Sequence, residues 1–435
     1  MTIVKKSFAV SEEALVKLYI LLPNIVFAFL IDVKKDDGTL HTALPFILLY
    51  CFQKMGIFTL DSFGKITNYL KVLRVALSLA LLGSCLALIG VSGHKEILID
   101  LGAILLGSGL SCLPLLDKEA FGSRLPKIKR WALVLTLVII GLVSLAIKYQ
   151  AKFFELLLLV GLLGGAWINA FLAPTSKEKM LDHLAIKWRS FVPAGTIFIL
   201  YAMIRTYRQT ALISDFEWML IFCGIILLSF IYKNMFNIFE QTYQFWLGAL
   251  KNFLVIYTLF WLFVLGKMQE IMLAFVILIV SGLLASQIIQ KLTPKKLFGA
   301  EVWAYLGTLI GLLGMILPKT YLVGLFCACL CSSVADKLNT QVGENVDQTG
   351  KVKTLGSVVQ QIFLGATIEF VSLVMLHSPQ ALIYPTVYHQ TKASYYLPAI
   401  TVRVILITVF IISGSLIFFR KYKQQVIHQK EAGHV

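Results

Sequence analysis

Apolar runs of about twenty residues recur along the whole chain, and they decide most of what it can become. A helix of about 20 residues crosses the hydrocarbon core of a bilayer. Only 14% of the 435 residues are charged and 58% are hydrophobic, where soluble domains carry roughly 25% charged residues. In hydrocarbon every backbone polar group needs an internal partner, and a helix supplies it within one segment. The runs lack the two-residue alternation of a membrane barrel. The fold class is therefore an all-α polytopic membrane protein.

Fourteen spans are predicted, at about 14–32, 41–60, 72–93, 96–116, 129–148, 153–173, 190–205, 216–236, 240–266, 270–290, 301–317, 320–337, 354–377 and 396–419. Lys and Arg alternate between sparse and dense loops across all of them. By the positive-inside rule both termini face the cytoplasm. The net charge of +16 is read as topology, with a basic cavity for an anionic solute as the alternative. No basic patch interleaved with aromatics suggests nucleic acid. Cys51, Cys85, Cys112, Cys223, Cys327, Cys329 and Cys331 all fall in predicted helices. Their directions do not converge as a zinc site requires, so packing is expected and no metal. The N-terminal MTIVKKSFAVSEEALVK lacks a small-residue cleavage site, so no cleaved signal peptide is expected.

The chain repeats weakly. GIFTLDSFGK lies between spans two and three, and QIIQKLTPKKLFG between spans ten and eleven. Corresponding loops in two halves mark transporters built from repeats. The expected arrangement is 6+2+6. A six-helix bundle would occupy 1–174, a linker with two inserted helices 175–236, a second bundle 237–420 and a tail 421–435.

Several polar residues interrupt the spans. Glu240, Gln241 and Gln244 sit at the start of the ninth, with Lys251 deeper and Trp246 as an expected interfacial anchor. Glu240 and Gln244 stack on one helix face. Glu369 lies in the thirteenth span, after Gln360 and Gln361. An ionisable group in a bilayer costs at least a few kcal/mol and normally faces a partner or a water-filled cavity. Asp336 and Asn339 close the twelfth span and read as gate or cap residues. In the fourth, Gly107 and Gly109 present small faces to a neighbour, and Pro114 predicts a kink. There is no Walker A loop, no HExxH and no GxSxG, so no enzyme activity and no cofactor are expected.

Asp61-Ser-Phe-Gly64-Lys resembles the D-R-x-G-R loop signature of the major facilitator superfamily, with Ser62 in place of the Arg. Within it the chain is most similar to the proton-dependent oligopeptide transporters. Their E-x-x-E-R is matched by Glu13-Ala-Leu-Val16-Lys17, and their G-T-G-L-x-K-P by Gly107-Ser-Gly109-Leu-Ser-Cys112. Their F-E/D-Q is matched by Phe239-Glu240-Gln241. Val16 stands where the second Glu would be, Lys17 where the Arg would be, and Cys112 where the Lys would be. The resemblance implies twelve core helices with two inserted, and Glu13, Lys17, Cys112, Glu240 and Gln241 as substrate- or proton-coupling residues, to which position within the spans adds Lys251 and Glu369. It implies Asp61 and Gly64 as gating residues, to which position at a span end adds Asp336. A diverged member with another solute or altered coupling fits equally.

The expected function is secondary active transport of a small peptide- or amino-acid-like solute by alternating access in the inner or plasma membrane, with protons and the bilayer as partners. Glu240 would pair with Lys17 or Lys251, and Glu369 would be the second titratable site. Three rivals stay open. They are a fourteen-span drug exporter, a lipid-linked sugar flippase with Arg403 as its main cation, and a non-transporting receptor with a transporter fold.

Overall fold

A computed structural model of the chain describes residues 3–32, 40–63, 66–122, 125–149, 151–174, 180, 188–210, 224, 241–290, 297–342, 346–378, 381–382 and 393–432. These residues are helical almost throughout and contain no β-strand. They fall into two compact units, residues 1–212 and 213–435.

The first unit opens with a broken helix. Helix α1 runs Ile3–Leu18 and α2 Leu21–Asp32. Pro23 lacks an N–H, so the carbonyl four residues back, on Tyr19, loses its helical partner. The next helix, α3 (Leu40–Thr59), makes good the loss. Gln53 Nε2 donates to Tyr19 O at 2.6 Å, and Gln53 Oε1 accepts from Asn24 Nδ2 at 2.8 Å. Helices α4 (Tyr69–Ser92) and α5 (Glu96–Leu110) then pack backbone to backbone. A methyl added to Gly83 would lie 2.6 Å from the Gly102 carbonyl oxygen, and one on Gly102 2.6 Å from that of Gly83. Gly109 meets Ala80 in the same way.

Helix α6 (Leu113–Phe121) continues α5 after a 41° bend. Pro114 opens it, which bears out the predicted kink. Helix α7 (Pro126–Lys148) and α8 (Lys152–Leu172) follow. Arg74 caps the end of α8, donating to the carbonyls of Ala170 at 2.9 Å and Ala173 at 2.7 Å. These are carbonyls that a helix end leaves orphaned. Helix α9 (Trp188–Thr210) packs on α3 through edge-on ring pairs, Tyr50–Tyr201 at 5.1 Å and Phe52–Phe198 at 5.3 Å. Its partner in the expected inserted pair, 216–236, lies outside the described residues apart from Gly224.

The second unit holds α10 (Thr242–Val264), α11 (Met268–Gln290), α12 (Leu297–Ile316), α13 (Tyr321–Val342), α14 (Val346–Leu376) and α15 (Tyr396–Ala432). Helix α10 is its axis, with Leu247, Leu250, Phe253, Tyr257 and Trp261 all buried. The α12–α13 hairpin repeats the device of α4–α5. A methyl on Gly311 would lie 2.8 Å from Ala328 Cα, and Gly314 faces Gly324. Trp246 is buried, not interfacial as expected. Gly414 leaves room for its ring, and its Nε1 donates to Phe410 O at 3.3 Å.

Large apolar side chains left on the outside, among them Trp131, Val138, Ile412, Leu416 and Phe419, suit a surface solvated by lipid. Seven described helices are long and apolar enough to cross a membrane, and the bent α5–α6 pair makes an eighth span. Four more helices are apolar but shorter. The protein is an integral multi-pass membrane protein.

Replacing Gln53 by Leu leaves the Tyr19 carbonyl without its partner and the Asn24 amide with the Ile20 carbonyl alone. A loss of about 1–3 kcal/mol is expected for a buried group left unsatisfied. It should appear as a lowered melting temperature of the detergent-purified protein, while the conservative Gln53→Glu retains an acceptor for Asn24 and loses less.

Candidate functional site

The two halves of the second unit's centre are joined by a crossing of α10 and α14 at two glycines. A methyl on Gly248 would lie 2.5 Å from Lys353 Cα, and one on Gly356 would lie 3.0 Å from Ala249 N. No side chain fits between the two backbones. Each glycine has a lysine three residues away, in Gly248-Ala-Leu-Lys251 and in Lys353-Thr-Leu-Gly356. Residues three apart share a helix face, so the close crossing delivers both ammonium groups to one place. The C-terminal part of α13 brings Asp336 between them. Lys251 Nζ pairs with Asp336 Oδ2, and Lys353 Nζ with Asp336 Oδ1.

The Asp336 side chain is 15% exposed, that of Lys353 22% and that of Lys251 38%. One carboxylate between two ammonium groups leaves a net charge of +1 on these three residues. Lys337, next in sequence, faces elsewhere. It donates to Gly282 O at 2.7 Å on α11 and also meets Ser286. The polar track continues one turn deeper. Asn252 Nδ2 donates to Gln360 Oε1 and to Ser357 O, and Gln361 Nε2 donates to Asn252 Oδ1 at 3.3 Å. Glu369, two turns further along α14, is buried.

The first unit carries a smaller polar set. Glu13 and Lys17 pair at 2.5 Å along α1. Glu12, one residue before, is buried and accepts from Asn169 Nδ2 on α8. Cys112 is buried at the N-terminal cap of α6, with Ser111 Oγ 3.6 Å from its sulfur. Glu155 is fully buried in the first turn of α8, with neither carboxyl oxygen hydrogen-bonded among the described residues. A helix N-terminus favours negative charge there.

The structure therefore brings Lys251 and Asp336 together and pairs Lys17 with Glu13. Gln241 is the N-cap residue of α10. Glu240 and Gly64 lie outside the described residues, and Asp61 is described in its backbone alone, in a 3-10 turn at Leu60–Phe63. No group of three potential metal ligands occurs among the described residues, and the six described cysteines are free thiols. Lys353 and Asn252 are not among the residues the sequence points to. The apolar pattern puts Lys353 in a cytoplasmic loop, with the span beginning at 354, whereas α14 starts at Val346. The mirrored Gly–Lys spacing is the signal available for it.

No protein-family model and no curated protein matches the chain. Solved structures do. A proton-dependent oligopeptide transporter, determined for substrate recognition, superposes with a TM-score of 0.53 at 14% identity, covering 96% of this chain and 98% of that one. A point mutant of the nucleoside transporter NupG superposes at 0.50 and 11% identity, covering 94% and 99%. A POT family transporter in complex with 5-aminolevulinic acid superposes at 0.50 and 12% identity, covering 95% and 96%.

Breaking a buried ion pair by removing one partner typically costs about 3–5 kcal/mol, and the partial exposure of Lys251 reduces the figure. Asp336→Asn should lower the melting temperature sharply. The double variant Asp336→Asn with Lys353→Gln should recover part of the loss, with a coupling of about 0.5–3 kcal/mol in a double-mutant cycle. Additive losses would show that the two residues do not act as a pair.

Proposed function

We propose that this chain, which has the major facilitator fold, is a secondary active transporter of a small peptide- or amino-acid-like solute. The observation that carries the reading is the ion cluster of Lys251, Asp336 and Lys353 within membrane-length helices. Ionisable groups there are expensive and mark solute and ion pathways. The fold is shared with solved transporters of oligopeptides and of nucleosides, and one such structure holds 5-aminolevulinic acid. That compound joins an amino group to a carboxylate, and a net-positive cluster suits the carboxylate end of such a molecule.

The chain works by alternating access, with six helices on each side of an inserted pair and both termini in the cytoplasm. Asp336 serves as a latch: an incoming carboxylate competes with it for Lys251 and Lys353, and the pairing is remade once the solute leaves. Asn252, Gln360 and Gln361 supply neutral donors and acceptors along the path. Protons provide the drive, with Glu13 and Glu369 as the groups that take them up. Glu240, Gln241 and Cys112 serve as further coupling residues, and Asp61 and Gly64 as gating residues.

Purified protein in liposomes should accumulate labelled alanyl-alanine when the outside is made acidic, and a protonophore should abolish the accumulation. Loss of one charge-assisted contact of about 1.5–3 kcal/mol corresponds to about a tenfold to hundredfold change. Lys251→Gln should weaken uptake to that extent. Glu369→Gln should remove the gradient dependence while leaving exchange of internal for external peptide intact. Failure of the folded protein to take up peptides and amino acids under any gradient overturns the reading.

A further inference from the structure

Arg403, on the second turn of α15, is fully buried. Its guanidinium carbon lies 4.2 Å from the ring centre of Trp261 on α10 and 5.2 Å from that of Tyr321 on α13. Cation–π contact accounts for those two rings. It does nothing for the N–H groups. A guanidinium carries five donors, and among the described residues Nε, Nη1 and Nη2 have no hydrogen-bond partner. The polar groups nearby are already committed. Tyr321 and Thr258 hydroxyls bond each other at 2.8 Å, and Tyr257 donates to Ala399 O at 2.8 Å. Tyr396 adds a further ring to the wall, 5.6 Å from that of Trp261.

A permanent charge sealed among aromatics and lacking acceptors is a costly arrangement. A protein that needed only to fill this volume would do better with an apolar side chain. The residue type is also specific. Arginine presents a planar fork that matches a carboxylate in two parallel hydrogen bonds, which the point charge of a lysine does not. We propose that Arg403, held between Trp261 and Tyr321, is a binding site for the carboxylate of the solute.

The solute class rests on the transport reading above; the site itself does not. The site is separate from the ion cluster, and the solute's carboxylate meets the two in turn rather than together. Lys251 and Trp261 are ten residues apart on α10, about 15 Å along the axis. It is closed in this conformation, as a solute site in an alternating-access protein is in one of its states. The site needs no acceptor from the protein, because the solute brings it.

The test uses full-length protein in detergent and reads the melting temperature, since a ligand that binds the folded state stabilises it by mass action. The probes are alanyl-alanine, alanyl-alaninamide, chloride and inorganic phosphate. Alanyl-alanine should raise the melting temperature and the amide should not. Arg403→Lys should need about tenfold more peptide for the same shift, and Arg403→Gln should show none. Arg403→Met gives a second, ligand-free reading. Removing an unpaired buried charge should raise its melting temperature above that of the wild type, with the peptide response abolished.

Equal stabilisation by chloride or phosphate overturns the carboxylate assignment. So does a response retained in Arg403→Gln, an equal response to the amide, or no response to the peptide. A lower melting temperature for Arg403→Met shows a structural arginine and overturns the proposal as well. Binding without uptake in liposomes sinks the transport reading alone, and uptake unaffected by Arg403→Gln sinks the site alone.

Discussion

Lipid removes the force that assembles soluble proteins. Apolar side chains on neighbouring helices fare no better against one another than against acyl chains. Each unit is therefore held by what only close approach supplies, namely dispersion contacts at small residues and hydrogen bonds between helices. The glycines are placed accordingly. Gly83, Gly102 and Gly109 seat α4 against α5, while Gly311, Gly314 and Gly324 seat α12 against α13. At Gly248 and Gly356 the same device has a chemical result. It brings two backbones so near that Lys251 and Lys353 share one carboxylate. Enlarging either glycine would separate the charges before it touched them.

Much of the helical plan is legible because hydrophobic length and punctuation by proline are local signals. Pro114 predicts the bend between α5 and α6, and the bend is there. The sequence predicts the first span at 14–32 as one piece. The structure breaks it after Leu18, and the chain is helical from Ile3. The polar start of α1 hides its helicity from a search for apolar runs, although Glu12 and Glu13 find partners within the unit. Lys353 is hidden for the opposite reason. A lysine beside an apolar run reads as the end of a span, whereas the helix simply continues past it. Tryptophan favours membrane interfaces, and that general preference misplaces Trp246. Gly414, far along the sequence, decides its burial.

The site is legible by residue type and not by partner. Lys251 and Asp336 both stand out as charges within apolar segments. That they meet depends on a crossing 85 residues apart in sequence, which no local pattern contains. The expectation pairs Glu240 with Lys17 or Lys251; the structure pairs Lys17 with Glu13 and Lys251 with Asp336. In the second unit three buried or half-buried cations have contrasting surroundings. Lys251 and Lys353 share Asp336, whereas Arg403 has rings and no acceptor among the described residues. The contrast separates a cluster that completes itself from a position that stays incomplete.

The mended break at Pro23 ties two helices into one unit of assembly. The Tyr19 carbonyl that the proline leaves open is satisfied by Gln53, which lies 34 residues further along the chain on α3. Until α3 packs, that carbonyl lacks this partner, and an open carbonyl in apolar surroundings is costly. The proline that interrupts one helix so makes α1–α2 and α3 a single cooperative piece.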